Sequence, residues 1–180
     1  VTAIASAIKN CTVASLARAL KKDIDAAYDA VKHAVSPRIH LFLATSDLHL
    51  KYKLKMSREE ALDRIKENVR YASSLCSNVE FSLEDATRTD LDYMCRVVEL
   101  AIKEGATTVN LPDTVGYSTP AEIANMVSYV KNNVPNVDKA ILSLGIYELL
   151  YTKTPSIVAI NEAIELSKKY SDEDVTKMIN

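Results

Sequence analysis

Glycine is scarce in this chain of 180 residues, with Gly105, Gly116 and Gly145 making up the full set. No glycine-rich loop can therefore wrap a phosphate chain, which removes the nucleotide motifs built on such loops. Cysteine is equally sparse, and Cys11, Cys76 and Cys95 are odd in number and widely spaced. They offer neither a disulfide framework nor the paired spacing of a zinc site, so reduced thiols packed in a core are expected. An excess of one charge is missing too. The chain has 22 basic and 24 acidic residues, a formal net charge of −2, which gives no electrostatic pull toward nucleic acid or an anionic membrane. No apolar run approaches the roughly 20 residues of a membrane span, and no charged-then-apolar leader opens the sequence. These absences lead to the expectation of a cytoplasmic protein with neither nucleic-acid nor membrane partners.

What is present is an ordinary globular composition, 48% hydrophobic and 26% charged, which argues against disorder. Short β-rich apolar stretches at Cys11–Leu16, Arg38–Ala44, Asn78–Ser82 and Thr107–Leu111 alternate with longer segments of helical spacing. The helices are expected over Asp23–Ala34, Ser57–Leu75, Asp90–Glu104 and Thr119–Val134. Ser57 with Glu60 forms a capping box, Thr119 with Pro120 makes a strong start signal, and Gly105 stops the third helix. Four strand–helix repeats imply a parallel sheet with right-handed crossovers. Periodicity leaves open whether the sheet is doubly wound or an arc of a (β/α)8 barrel.

The character changes near Asp138. Val137–Tyr151 and Val158–Tyr170 read as two amphipathic helices, and Ser171 can cap a short last one. The expected organisation is an α/β unit over residues 1–137 followed by a helical hairpin over 138–180. Lys139–Leu144 is the ambiguous piece, and Asp138 as an N-cap tips it toward helix.

Function in parallel α/β folds gathers where the strands end, and the strand ends here are polar. They carry Arg18, then Thr45-Ser46-Asp47 and His49, then Glu84-Asp85-Ala86-Thr87-Arg88, then Asp113-Thr114. That mixture suits a small carboxylate or carbonyl substrate. Plainer explanations stand beside it. Asp47, Thr87 and Asp90 precede helices and can be caps. Glu84 and Asp85 are adjacent, so on an extended strand they point to opposite faces, and one can pair with Arg88. His40 lies within a strand and can be a satisfied core histidine. His33 reads as helix surface, and His49 as part of a solvated loop with Lys51, Lys53 and Lys55. No two histidines have the spacing of a metal site.

The segments Arg38–His49, Val79–Asp90 and Asn110–Gly116 resemble consecutive strand-end motifs of the 2-isopropylmalate synthase family, in that family's order and spacing. The likeness covers residues 1 to about 143. It implies a partial (β/α)8-barrel sheet of about four strands, the third to sixth of the barrel, with flanking helices. In that family a divalent metal binds a 2-keto acid, and a base generates the acetyl-CoA enolate for a Claisen condensation. By resemblance, Thr114 contacts the keto acid's carboxylate, and His40 and Glu84 face the substrate pocket. The family's metal ligands come from an Arg-Asp pair on its first strand and a His-x-His motif on its seventh. The former is expected to have no counterpart in this chain, and after Ser143 the sequence reads Leu-Gly-Ile-Tyr-Glu-Leu-Leu. The resemblance therefore implies no metal site, no bound cofactor and no catalytic residue.

The segments Asp138–Tyr151 and Val158–Tyr170 resemble the C-terminal helices of the NusB antitermination family. The arginine-rich part that binds RNA in that family has no counterpart here. The two resemblances meet at Val137–Ser143, which suggests a chimeric or designed sequence without catalytic activity. The alternative is a synthase fragment that retains keto-acid binding. Four strands cannot close a barrel, so open sheet edges offer a route to self-association.

Overall fold

The computed structural model describes residues 1–137 and 141–143. Five strands, β1 (Val13–Arg18), β2 (Pro37–Ala44), β3 (Val79–Glu84), β4 (Thr108–Asn110) and β5 (Ile141–Ser143), form one sheet among these residues. Every pairing is parallel and the spatial order is the sequence order. A doubly wound sheet reverses its strand order at a switch point. Here there is no reversal, and the sheet is an arc of barrel type.

Helices α1 (Thr2–Ala7), α2 (Lys21–Val31), α3 (Asp47–His49), α4 (Arg58–Leu75), α5 (Leu91–Lys103) and α6 (Pro120–Asn133) accompany it. The expected α/β alternation is there, and the start signals act as read. Ser57 and Glu60 cap α4 reciprocally, Thr119 and Glu122 do the same for α6, and Asp90 accepts the Tyr93 amide at α5. Gly105 follows α5 at φ +110°. A Cβ there would lie 2.2 Å from Ser73 Oγ and 2.7 Å from its Cβ, so glycine is required both by conformation and by the close approach of α4.

Strand alternation sorts the sheet into two faces. Ile39, Leu41, Leu43, Val79, Phe81, Leu83 and Val109 are buried against Ile65, Val69, Met94, Val97 and Val98 of the helices. At about 25 cal/mol per Å², this apolar layer is the main source of stability. The opposite face carries Leu16, Arg38, His40, Phe42, Glu80, Ser82, Glu84 and Asn110. Leu16 on this face is 62% exposed. In a closed barrel this second face would be the interior.

Several expectations change. Lys139–Leu144 was expected to be helical, yet Ile141–Ser143 pairs with Thr108–Asn110 as a fifth strand. The β4 edge needs backbone partners, and that tertiary demand overrides the local cap signal of Asp138. β1 begins at Val13 rather than Cys11 and runs on to Arg18, and α2 spans Lys21–Val31. Cys76 is buried but Cys11 is exposed, and all three cysteines are free thiols. His33 lies exposed in the turn after α2. The expected C-terminal hairpin falls outside the described residues. Among those described, no helix is long and apolar enough to cross a membrane.

Candidate functional site at the strand ends

After β2 the chain enters α3 and continues as a π-helical turn, Leu50–Leu54, ending at Lys55 with φ +54°. Such π-turns are rare and frequently mark functional sites. Ser46, buried, is the N-cap, accepting the His49 amide at 3.3 Å. Asp47, proposed as a cap from sequence, is instead the first helical residue. It forms a two-point ion pair with Arg58 at 2.8 and 2.7 Å, and the guanidinium holds its carboxyl below the usual range. Arg58 also lies over the Tyr93 ring at 4.8 Å. Burial pushes the Tyr93 hydroxyl up to about 12, against the pull of Arg58. This clamp ties the turn to the starts of α4 and α5.

Ser46, His49 and Lys53 are spaced along one side of this turn, and all three reach the end of β3. Ser46 Oγ donates to Asp85, Lys53 pairs with Glu84, and His49 Nδ1 lies 3.6 Å from Asp85 Oδ2 and 3.9 Å from Glu84 Oε1. The expectation that Glu84 and Asp85 diverge is therefore corrected. Asp85 sits in the left-handed region at φ +66°, which ends the strand alternation and lets both carboxylates approach one imidazole. Aspartate tolerates this conformation better than most residues.

The Asp85 side chain is wholly buried. Burial by itself would raise its pKa, but hydrogen bonds from Arg88 (Nε at 2.7 Å) and Ser46, with the charges of Arg88 and His49, bring it below the usual carboxylate value. Its backbone amide donates to Thr114 Oγ1 at 2.8 Å. Asp113 accepts from Thr87 Oγ1 at 3.2 Å and from the amides of Gly116 and Ser118 at 3.0 and 2.8 Å, and so shapes the β4–α6 loop. Thr87 is thus a loop tie within a 3-10 turn rather than a helix cap.

Deeper on the open face, His40 Nε2 lies 2.6 Å from Ser82 Oγ, and Asn110 Nδ2 donates to that same oxygen at 2.8 Å. Glu80 bridges toward it, bonded to Arg38 at 2.9 Å and 3.5 Å from His40. Burial lowers the His40 pKa, Arg38 adds to that, and Glu80 opposes it. Thr114 is exposed, whereas Glu84 and His40 are half-buried. All three site residues expected from sequence occupy the open face or the rim of its strand ends. Ser46, Ser82, Asp85 and Asn110 extend the site. His49, read from sequence as solvated, is half-buried against the two carboxylates. Its place three residues after a serine that could cap was the available signal.

Arg18 is committed to Asp23 of α2 at 2.5 and 3.2 Å. A separate depression of about 440 Å³ lies beside Asp47, Lys51, Lys55 and Arg58. It does not include His40, Glu84 or Thr114, so it is not the strand-end site.

A sequentially ordered parallel sheet with polar strand ends defines a partial α/β barrel. Residues 1–147 match the HMGL-like family, and the chain belongs to it. Residues 121–180 also match the NusB family. The chain is 58% identical over 137 residues to 2-isopropylmalate synthase of Ruminiclostridium cellulolyticum, covering 76% of this chain and 27% of that protein. The same enzyme of Carboxydothermus hydrogenoformans is 52% identical over 148 residues, covering 82% and 29%. The chain thus spans less than a third of the length of these relatives. Among solved structures, hydroxymethylglutaryl-CoA lyase from Pseudomonas aeruginosa shares the fold, with a TM-score of 0.57 at 20% identity. It covers 73% of this chain and 44% of the lyase chain.

Proposed function

We propose that the α/β part is a piece of a 2-isopropylmalate synthase-type barrel that keeps a binding rim for a 2-keto acid but does not condense it with acetyl-CoA by itself. Thr114 carries this reading. Its hydroxyl oxygen accepts the Asp85 amide, so its own proton is free to donate to a ligand carboxylate at an exposed position. His40, fixed through Ser82 and Asn110, and Glu84, fixed by Lys53, line the face below.

In this family a divalent metal would polarise the keto group. The described residues contain no group of three His, Cys, Asp or Glu able to hold one. The carboxylates nearest the rim are already committed, Glu84 to Lys53 and Asp85 to Ser46 and Arg88. These residues do not fit a metal centre. What remains is orientation: a hydroxyl donor at the rim and a fixed polar layer beneath it.

The chain is further proposed to join two parts, residues 1–137 and 138–180, with a chimeric or designed origin. In support, the two family matches share residues 121–147, where the first ends and the second begins. Titration calorimetry with 2-ketoisovalerate, paired with an assay for thiol release from acetyl-CoA, tests the functional reading. Weak binding that Mg²⁺ does not alter, without thiol release, supports it.

A further inference from the structure

Among the described residues β1 has one strand neighbour, β2, so its other side is an edge of the sheet. The Val13 amide donates to the Ser36 oxygen at 2.9 Å and the Ala19 amide to the Phe42 oxygen at 3.3 Å. The odd-numbered residues of β1 therefore turn their backbone groups into the sheet. Successive residues of a strand aim these groups at opposite neighbours, so Ala14, Leu16 and Arg18 turn theirs outward. Arg18 is engaged locally: its oxygen accepts the Leu20 amide at 2.7 Å, and its amide donates to the Asp23 carboxylate. Ala14 and Leu16 remain as the outward-facing pair, and both are exposed.

Folded proteins guard such an edge with lysine, proline, a bulge or a covering element. Val13–Arg18 contains no lysine or proline, and its register with β2 runs without a bulge. Leu16 is 62% exposed, and Val1, Ile4 and Val35 are exposed on α1 and on the turn that leads into β2. Helix α1 borders the strand, with Ala5 clustered with Val13 and Val31. Outward backbone groups and exposed apolar side chains thus gather at one end of the sheet.

We propose that β1 docks a second copy of this chain, antiparallel, across a two-fold axis at Ser15. The strand is complementary to itself in that register. Ala14 lies opposite the partner copy's Leu16 and Leu16 opposite its Ala14, so each outward amide meets an outward carbonyl. The small Ala14 leaves room for the facing leucine, while Arg18 keeps its local bonds. An isologous contact closes on itself and stops at a dimer. An unrelated strand would have to match both the register and the alternation of size, which a second copy supplies by symmetry. The edge is separate from the Thr114 rim, and the proposal does not rest on keto-acid binding.

Sedimentation of the full chain over a range of concentrations reads the assembly, with circular dichroism to confirm that each variant is folded. The expected result is a monomer–dimer equilibrium. Leu16→Lys places a charge at the edge, and Ala14→Pro removes an outward donor without touching a bond to β2. Each should raise the dissociation constant about tenfold or more, whereas Val115→Lys, at an exposed residue of the β4–α6 loop, should leave it unchanged. The axis is tested by Ser15→Cys in a Cys11→Ser background. Residues facing each other as a non-hydrogen-bonded antiparallel pair have Cα atoms about 4.5 Å apart, within disulfide reach. Mild oxidation should therefore link the two copies through residue 15, as mapped by mass spectrometry. A chain that stays monomeric up to about 0.5 mM, well above the range of weak specific contacts, overturns the proposal. So does a dimer that both edge variants leave intact, or one that forms no link through residue 15, as pairing through β5 or the C-terminal segment would give.

Discussion

The backbone amide of Asp85 donates to the hydroxyl of Thr114 at 2.8 Å, which joins the end of β3 to the β4–α6 loop. This contact orients the threonine at the rim and helps hold an aspartate in the left-handed region.

Thr114→Val keeps the shape and removes the hydroxyl. The Asp85 amide loses its acceptor at an exposed residue, and stability should fall by about 1 kcal/mol. Urea denaturation measures this, and keto-acid affinity should fall in the same variant while α/β circular dichroism is unchanged.

Asp85→Asn keeps a residue that tolerates φ +66° but removes the charge that Arg88 and Ser46 hold. Arg88 is 31% exposed, so solvent absorbs part of the loss, and about 2 kcal/mol is expected. Asp85→Ala should cost more, because backbone strain is added. Comparing the two denaturation midpoints separates charge from conformation.

Stability should fall on mild acidification. Burial lowers the His40 pKa below its ordinary 6.5, so the unfolded chain takes up a proton there first. Stability is then lost as pH drops through 6.5 toward the folded value. Asp85 behaves differently: its folded pKa is below 3.8, so its contribution persists above that and is lost only as pH falls through the folded value. Thermal melts at pH 8 and pH 5.5 should show a drop that His40→Gln diminishes.

Gly105→Ala should destabilise by about 2 kcal/mol or more, since φ +110° strains any side chain and the new Cβ would overlap Ser73. Adding Ser73→Gly should recover only part of the loss in a denaturation experiment, because the backbone strain remains.

Much of the fold is legible in the sequence because local signals and tertiary structure agree. The capping box at Ser57, the start signal at Thr119 and Pro120, the stop at Gly105 and the polar strand ends lie where their residue types require. Legibility fails where distant partners decide. β5 forms because β4 has an unpaired edge, and nothing local in Ile141–Ser143 announces that demand. Glu84 and Asp85 converge because of one positive φ at Asp85, which a rule of strand alternation cannot foresee. His49 reads as part of a basic loop until the π-turn places Ser46, His49 and Lys53 against those carboxylates. Strand order, the feature that separates a barrel arc from a doubly wound sheet, is a property of pairing rather than of periodicity.

The most direct measurement of the central claim is calorimetric titration of the whole chain with 2-ketoisovalerate, with and without Mg²⁺, alongside Thr114→Val. The account predicts weak one-to-one binding, on the order of millimolar, indifferent to Mg²⁺ and weakened about fivefold by the substitution. No heat, or heat equal in the Thr114→Val variant, would contradict the rim, and Mg²⁺-dependent release of thiol from acetyl-CoA would contradict the absence of catalysis.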